Sequence, residues 1–163
     1  MLRSAVHVAR SAVRAPAAHL RVLVPQRSMC AAATHDPIDT MFIMGKHFNE
    51  CKERATVPII LANIEVEKPG RKVELCLMFG AAEMAVEGQI DNAHIGHPWE
   101  DFDLRTRLEQ FVAKGGVVSV CTPCLVHRKY DPATVKLYSG VGMITGTDML
   151  LKQDAARNVL SFV

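Results

Sequence analysis

Residues 115–124 read GGVVSVCTPC, and the fold is decided there. Gly115-Gly116 is a helix stop. The β-branched run at 117–120 then starts a strand, and Cys121 follows it with no spacer. Just upstream, Asp103 is suited to cap a helix carrying Leu104, Leu108, Phe111 and Val112 at helical spacing. The order is therefore helix, glycine turn, strand, cysteine. It is one unit of an alternating α/β chain.

The same alternation extends in both directions. Residues 40–45 (TMFIMG) are short, apolar and end in Gly, as a first strand would. Ala55, Ile59, Ala62 and Val66 recur at helical spacing and predict a helix ending before Pro69-Gly70; Pro58 within it means a late start or a kink. Val73, Leu75, Leu77 and Phe79 alternate strictly, which predicts a strand over 73–79 stopped by Gly80. Residues 81–87 suit a short helix. Residues 89–103 hold Gly96, Pro98 and Trp99 with no clear period, and read as a loop. Downstream, Asp131-Pro132 predicts a helix start and Gly140 its end. A fourth strand is expected at 141–144, a helix at 147–156 and a fifth strand at 158–162. Strands alternating with helices imply an α/β protein whose five-stranded, mostly parallel sheet carries helices on both faces. In such sheets reactive groups gather past the C-terminal ends of strands, where Cys121 falls.

Charge divides the chain in two. Residues 1–35 hold Arg3, Arg10, Arg14, Arg21 and Arg27 and no acid before Asp36. From Ser28 onward there are 14 Lys plus Arg against 17 Asp plus Glu. Arginines spread through an Ala- and Val-rich, acid-free stretch are the composition of an organelle import signal, so 1–35 is expected to be a mitochondrial targeting leader, cleaved near 27–33; the alternative is a disordered basic tail. The domain proper is then 36–163, and it is mildly acidic. With no Lys/Arg stripe it gives no reason to expect nucleic-acid binding. No apolar run nears the ~20 residues of a membrane-spanning helix; 57–64 and 73–79 are the longest candidates.

The chemistry points to Cys121-Thr122-Pro123-Cys124. A thiolate is the nucleophile, and His127, Arg128 and Lys129 follow closely enough to add positive potential. A second thiol three residues on can attack a sulfur held by the first, close a disulfide and expel the bound group. The alternative is a pair of packing cysteines. The remaining cysteines, Cys30, Cys51 and Cys76, read as leader or core, with no structural disulfide framework expected in a reducing matrix. One C-x-x-C pair is not a zinc site, and His94 and His97 have no Cys or acid near them at metal spacing. Asp101 and Asp103 suit turns and a cap, and Trp99 suits a loop anchor. Neither G-x-G-x-x-G nor G-x-x-x-x-G-K occurs. No metal and no cofactor is expected.

The segments also resemble a known family in their order. Residues 115–124 are similar to the strand-then-cysteine segment of the DsrE/DsrF-like proteins. Residues 137–146 (LYSGVGMITG) resemble that family's strand before its last helix, and 155–162 (AARNVLSF) its closing strand. Residues 55–64 (ATVPIILANI) and 73–88 (VELCLMFGAAEMAVEG) resemble its first helix and second strand. The resemblance spans about 40–163 and departs from the sulfur-relay members around 46–51. It implies a five-stranded, flavodoxin-like α/β fold, assembled as a trimer or a dimer of trimers. It also implies a cysteine at the position of Cys121 that accepts sulfur as a persulfide and passes it on, with Cys124 matching a second cysteine found in some members. The leading expectation is a mitochondrial persulfide carrier or sulfurtransferase acting between sulfur donor and acceptor proteins. A non-enzymatic oligomeric scaffold or complex subunit, and a C-x-x-C thiol–disulfide oxidoreductase, are the competing readings.

Overall fold

The computed structural model describes residues 37–91, 93–95 and 102–163. The leader read at 1–35 with Cys30, and the loop residues Gly96, His97, Pro98, Trp99 and Asp101, lie outside the described residues. Along the chain run β1 (Ile38–Met44), α1 (Lys52–Val66), β2 (Val73–Leu77), a 3-10 helix (Phe79–Ala85), β3 (His94–Ile95), β4 (Phe102–Asp103) and α2 (Leu104–Ala113). They are followed by β5 (Val117–Cys121), α3 (Thr122–His127), β6 (Val141–Ile144), α4 (Gly146–Ala155) and β7 (Ala156–Phe162). Five strands form one sheet in the order β6-β5-β2-β1-β7, and every pair in it is parallel. The two-residue β3 and β4 pair antiparallel with each other, so the stretch expected to be all loop contains a short pairing.

The alternation in β2 sorts its side chains between two layers. Val73, Leu75 and Leu77 join Phe42 and Met44 of β1, Val118 and Val120 of β5, and the apolar sides of α1 and α2 in the main core. Cys76 turns the other way and packs with Met41, Ile43 and Ile144, against Met149 of α4. Helices thus cover both faces, as the strand–helix alternation requires. The two covers differ greatly in depth, since no residue of α4 is fully buried.

Local signals account for most boundaries. Asp103 caps α2, its carboxylate accepting from the N–H groups of Arg105 at 3.3 Å and Thr106 at 3.0 Å. Gly115, at φ +91°, adopts the left-handed turn that ends the helix and releases the chain into β5. Thr145 and Asp148 form a capping box at the start of α4. Pro58 lies inside α1 without ending it, buried beside Ala55, Ile59 and Ala62.

The helix expected between Asp131 and Gly140 does not form. One turn closes there, with the Val135 N–H on the Asp131 carbonyl at 2.8 Å and the Ala133 N–H on the Asp131 carboxylate at 2.9 Å. The chain then extends so that Leu137 pairs with Val86 and the Tyr138 N–H reaches the Ala85 carbonyl at 3.0 Å. Tyr138 is the reason. Its buried hydroxyl donates to Asp91 at 2.7 Å and accepts from the Gly88 N–H at 3.0 Å, contacts a helix would forfeit. Burial, then the Asp91 bond, pushes the Tyr138 phenol above its ordinary pKa.

Candidate functional site

β5 delivers Cys121 to the C-terminal edge of the sheet, where it also serves as the N-cap of α3. Its Sγ accepts the Cys124 N–H at 3.3 Å. Pro123 stands in the first turn of α3, where a missing N–H is harmless. That turn brings Cys124 back to Cys121, with Cα atoms 5.2 Å apart and the two sulfurs joined as a disulfide. It closes only the short C-x-x-C loop, and Cys51 and Cys76 are free. Cys121 is buried, 7% exposed, whereas Cys124 is partly exposed.

A peptide group from another element completes the site. Phe79, the first residue of the 3-10 helix after β2, donates its N–H to Cys124 Sγ at 3.3 Å and accepts Arg128 Nε on its carbonyl at 2.9 Å. Its φ of +45° is one that a residue with a Cβ seldom adopts, at about 1 kcal/mol or more. Gly80 beyond it packs closely on the loop after β1: a Cβ there would lie 3.0 Å from the His47 backbone nitrogen. Phe79 is 56% exposed. With Pro123, Cys124, His127 and Arg128 it lines a cavity of about 300 Å³. Backbone strain, an exposed aromatic residue, a guanidinium and a redox-capable sulfur pair meet at one edge of the sheet. Strain held in place by its surroundings marks functional sites more often than ordinary turns.

No protein-family model matches the chain. No curated protein matches its sequence. Solved structures do match. The crystal structure of the YchN protein from E. coli superposes with a TM-score of 0.62 at 21% identity, covering 77% of this chain and 99% of that one. MTH1491 from Methanobacterium thermoautotrophicum, a protein of unknown function, superposes with a TM-score of 0.53 at 11% identity, covering 74% and 98%. The fold is of the flavodoxin-like DsrE type.

Within this DsrE-type fold the other candidate residues fall apart from the cysteine pair. His94 lies in β3 opposite Asp103. Among the described residues no group of three His, Cys, Asp or Glu side chains is arranged to hold a metal. Cys76 is fully buried, and burial pushes its thiol up to about 12, so it stays protonated and inert. Lys129, though next to Arg128 in sequence, stands outside the cavity lining, at φ +69° past the end of α3.

A second polar arrangement was not visible in the sequence. Glu74, 3% exposed in β2, accepts Ser119 Oγ at 2.5 Å and Lys152 Nζ at 2.6 Å beneath α4. It borders a larger cavity of about 400 Å³ shared with Ile38, Arg71, Val117 and others at the N-terminal ends of the strands. The pairing of Lys152 with Glu74 holds α4 to the sheet. The sulfur pair and its smaller cavity occupy the C-terminal edge of the strands, where open parallel sheets gather ligands and reactive groups.

Proposed function

We propose that this protein is a sulfur-transfer protein, a persulfide carrier or sulfurtransferase, in which Cys121 is the sulfur-accepting thiol and Cys124 its partner. The observation that supports it is the Cys121–Cys124 pair at the end of β5, within bonding distance of each other and beside an open cavity. In the reduced protein the Cys121 thiolate attacks the sulfane sulfur of a donor persulfide. The donor's S–S bond breaks, its electron pair leaves on the donor thiolate, and Cys121 holds a persulfide. An acceptor thiolate then attacks the outer sulfur and regenerates the Cys121 thiolate. Alternatively Cys124 attacks the inner sulfur, expels hydrosulfide and closes the disulfide. The Cys124 N–H already points at Cys121 Sγ, where it stabilises the thiolate in both routes. Donor and acceptor are proteins in this reading, and the arginine-rich, acid-free composition of 1–35 supports a mitochondrial-matrix setting for it.

The test is intact mass. Incubated with a sulfane-sulfur donor, the reduced protein is expected to gain sulfur, and Cys121→Ser to gain at least tenfold less, since removing the nucleophile removes the step. In Cys124→Ser the adduct should persist longer than in the wild type. Equal loading of Cys121→Ser and wild type would overturn the assignment.

The scaffold reading has its own observation. Leu150 and Leu151 on α4, and Val159 on β7 opposite Met41, leave apolar side chains exposed around the thinly covered face. Such a patch suits self-association. We therefore include a homo-trimer or hexamer in the proposal. Sedimentation at micromolar protein should show that assembly in wild type and in Cys121→Ser alike, and a monomer would remove it.

A further inference from the structure

The disulfide has one open side, and it is not the side of the proposed sulfur acceptor. Cys121 is 7% exposed and does not line the cavity, while Cys124 is partly exposed and does. Thiol–disulfide exchange requires a thiolate to reach one sulfur along the S–S axis from behind, so access chooses the sulfur attacked. Hydrogen bonding does not choose, because each sulfur has one backbone N–H at 3.3 Å, from Cys124 and from Phe79.

The lining narrows the attacker. Phe79 and Pro123 give apolar walls, His127 and Arg128 give nitrogen donors, and no acidic side chain borders the cavity among the described residues. Arg128 uses Nε on the Phe79 carbonyl, which fixes the guanidinium plane and leaves its terminal nitrogens for a carboxylate. A volume of about 300 Å³ is at the small end for ligand sites and fits a molecule of a few residues. We infer that the Cys121–Cys124 disulfide is reopened at Cys124 Sγ by a low-molecular-mass thiol bearing carboxylate groups, seated against Phe79, His127 and Arg128.

The exchange balances with two such thiols. The first thiolate bonds to Cys124 Sγ, the Cys121–Cys124 bond breaks, and its electron pair leaves on Cys121 as a thiolate. The second attacks the thiol's own sulfur in the mixed disulfide, frees the Cys124 thiolate and departs as the small-molecule disulfide. The inference deepens the sulfur-transfer reading, which explains how the disulfide arises. It assigns the reductant that returns Cys121 to its sulfur-accepting state.

The experiment uses the oxidised full-length chain and no sulfane sulfur, so its failure leaves the sulfur-loading result untouched. The chain is mixed with glutathione or with cysteamine, a cationic thiol, quenched in acid, alkylated, and sequenced by fragment mass. Glutathione is expected on Cys124 with the alkyl group on Cys121. The rate of glutathione attack relative to cysteamine should fall about tenfold in Arg128→Ala, the scale of one lost charge-assisted hydrogen bond, and recover in part in Arg128→Lys. Using the ratio of the two thiols cancels any general loosening of the site in the variant. Glutathione found first on Cys121, or a ratio that Arg128→Ala leaves unchanged, overturns the inference.

Discussion

Lys152→Met is expected to lower the stability of the domain by about 3 kcal/mol, because it strands a buried carboxylate. Glu74 is 3% exposed and has two donors on Oε1, Ser119 and Lys152. Removing the ammonium leaves the charge with one neutral hydroxyl beneath a helix. The estimate sits at the lower end for broken buried pairs because the Lys152 side chain is 20% exposed and the adjoining cavity gives water some entry. The second substitution separates charge from packing. Glu74→Gln in the Lys152→Met background removes the uncompensated charge and keeps an acceptor for Ser119, so most of the loss should return. Urea denaturation measures both, with the midpoint moving and the slope unchanged. A Lys152→Met protein as stable as wild type would show that the pair contributes nothing to holding α4. A double variant no better than the single would place the loss in packing, not charge.

The second large effect is expected around Phe111. Its ring is fully buried, and it lies where a side chain on Gly116 would be: a Cβ built there falls 2.3 Å from Phe111 Cζ. Phe111→Ala should cost about 3–5 kcal/mol through lost burial and the cavity left behind. Gly116→Ala should cost about 1–3 kcal/mol, since a buried ring or the start of β5 has to move. Combined, the two should cost clearly less than their sum, because the shortened side chain removes the clash. Full additivity in chemical denaturation would mean that the two positions do not share this space. The pair also bears on the site. Gly116 immediately precedes Val117–Cys121, so a displaced β5 would shift the cysteine pair.

Much of this architecture was legible along the chain. α2 carried a capping Asp103, apolar residues at helical spacing and a terminal Gly115, and each signal acts within a few residues. β2 was legible from its strict alternation, although it ends at Leu77 and not at Phe79. The Phe79 backbone turns there to present its N–H and carbonyl to Cys124 and Arg128, some 45 and 49 positions away. The segment after Asp131 departs from its local pattern for a related reason. Its Asp-Pro start is a sound local helix signal, and it was overruled by Tyr138 bonding to Gly88 and Asp91. Similarly, nothing near Glu74 in the sequence announces Lys152, 78 positions on.

By itself, then, the amino-acid order determined the α/β class, the strand and helix sequence, and a cysteine pair at the end of a strand. Periodicity, caps, glycines and the C-x-x-C spacing are short-range properties, set by backbone sterics and by which side chains must leave water. Only the tertiary structure decided the strand order, the thin cover over the α4 face, the Lys152–Glu74–Ser119 arrangement and the Phe79–Arg128 wall beside Cys124. Those depend on which distant segments meet. That is settled by the joint packing of all the layers, with every buried polar group requiring a partner once they close.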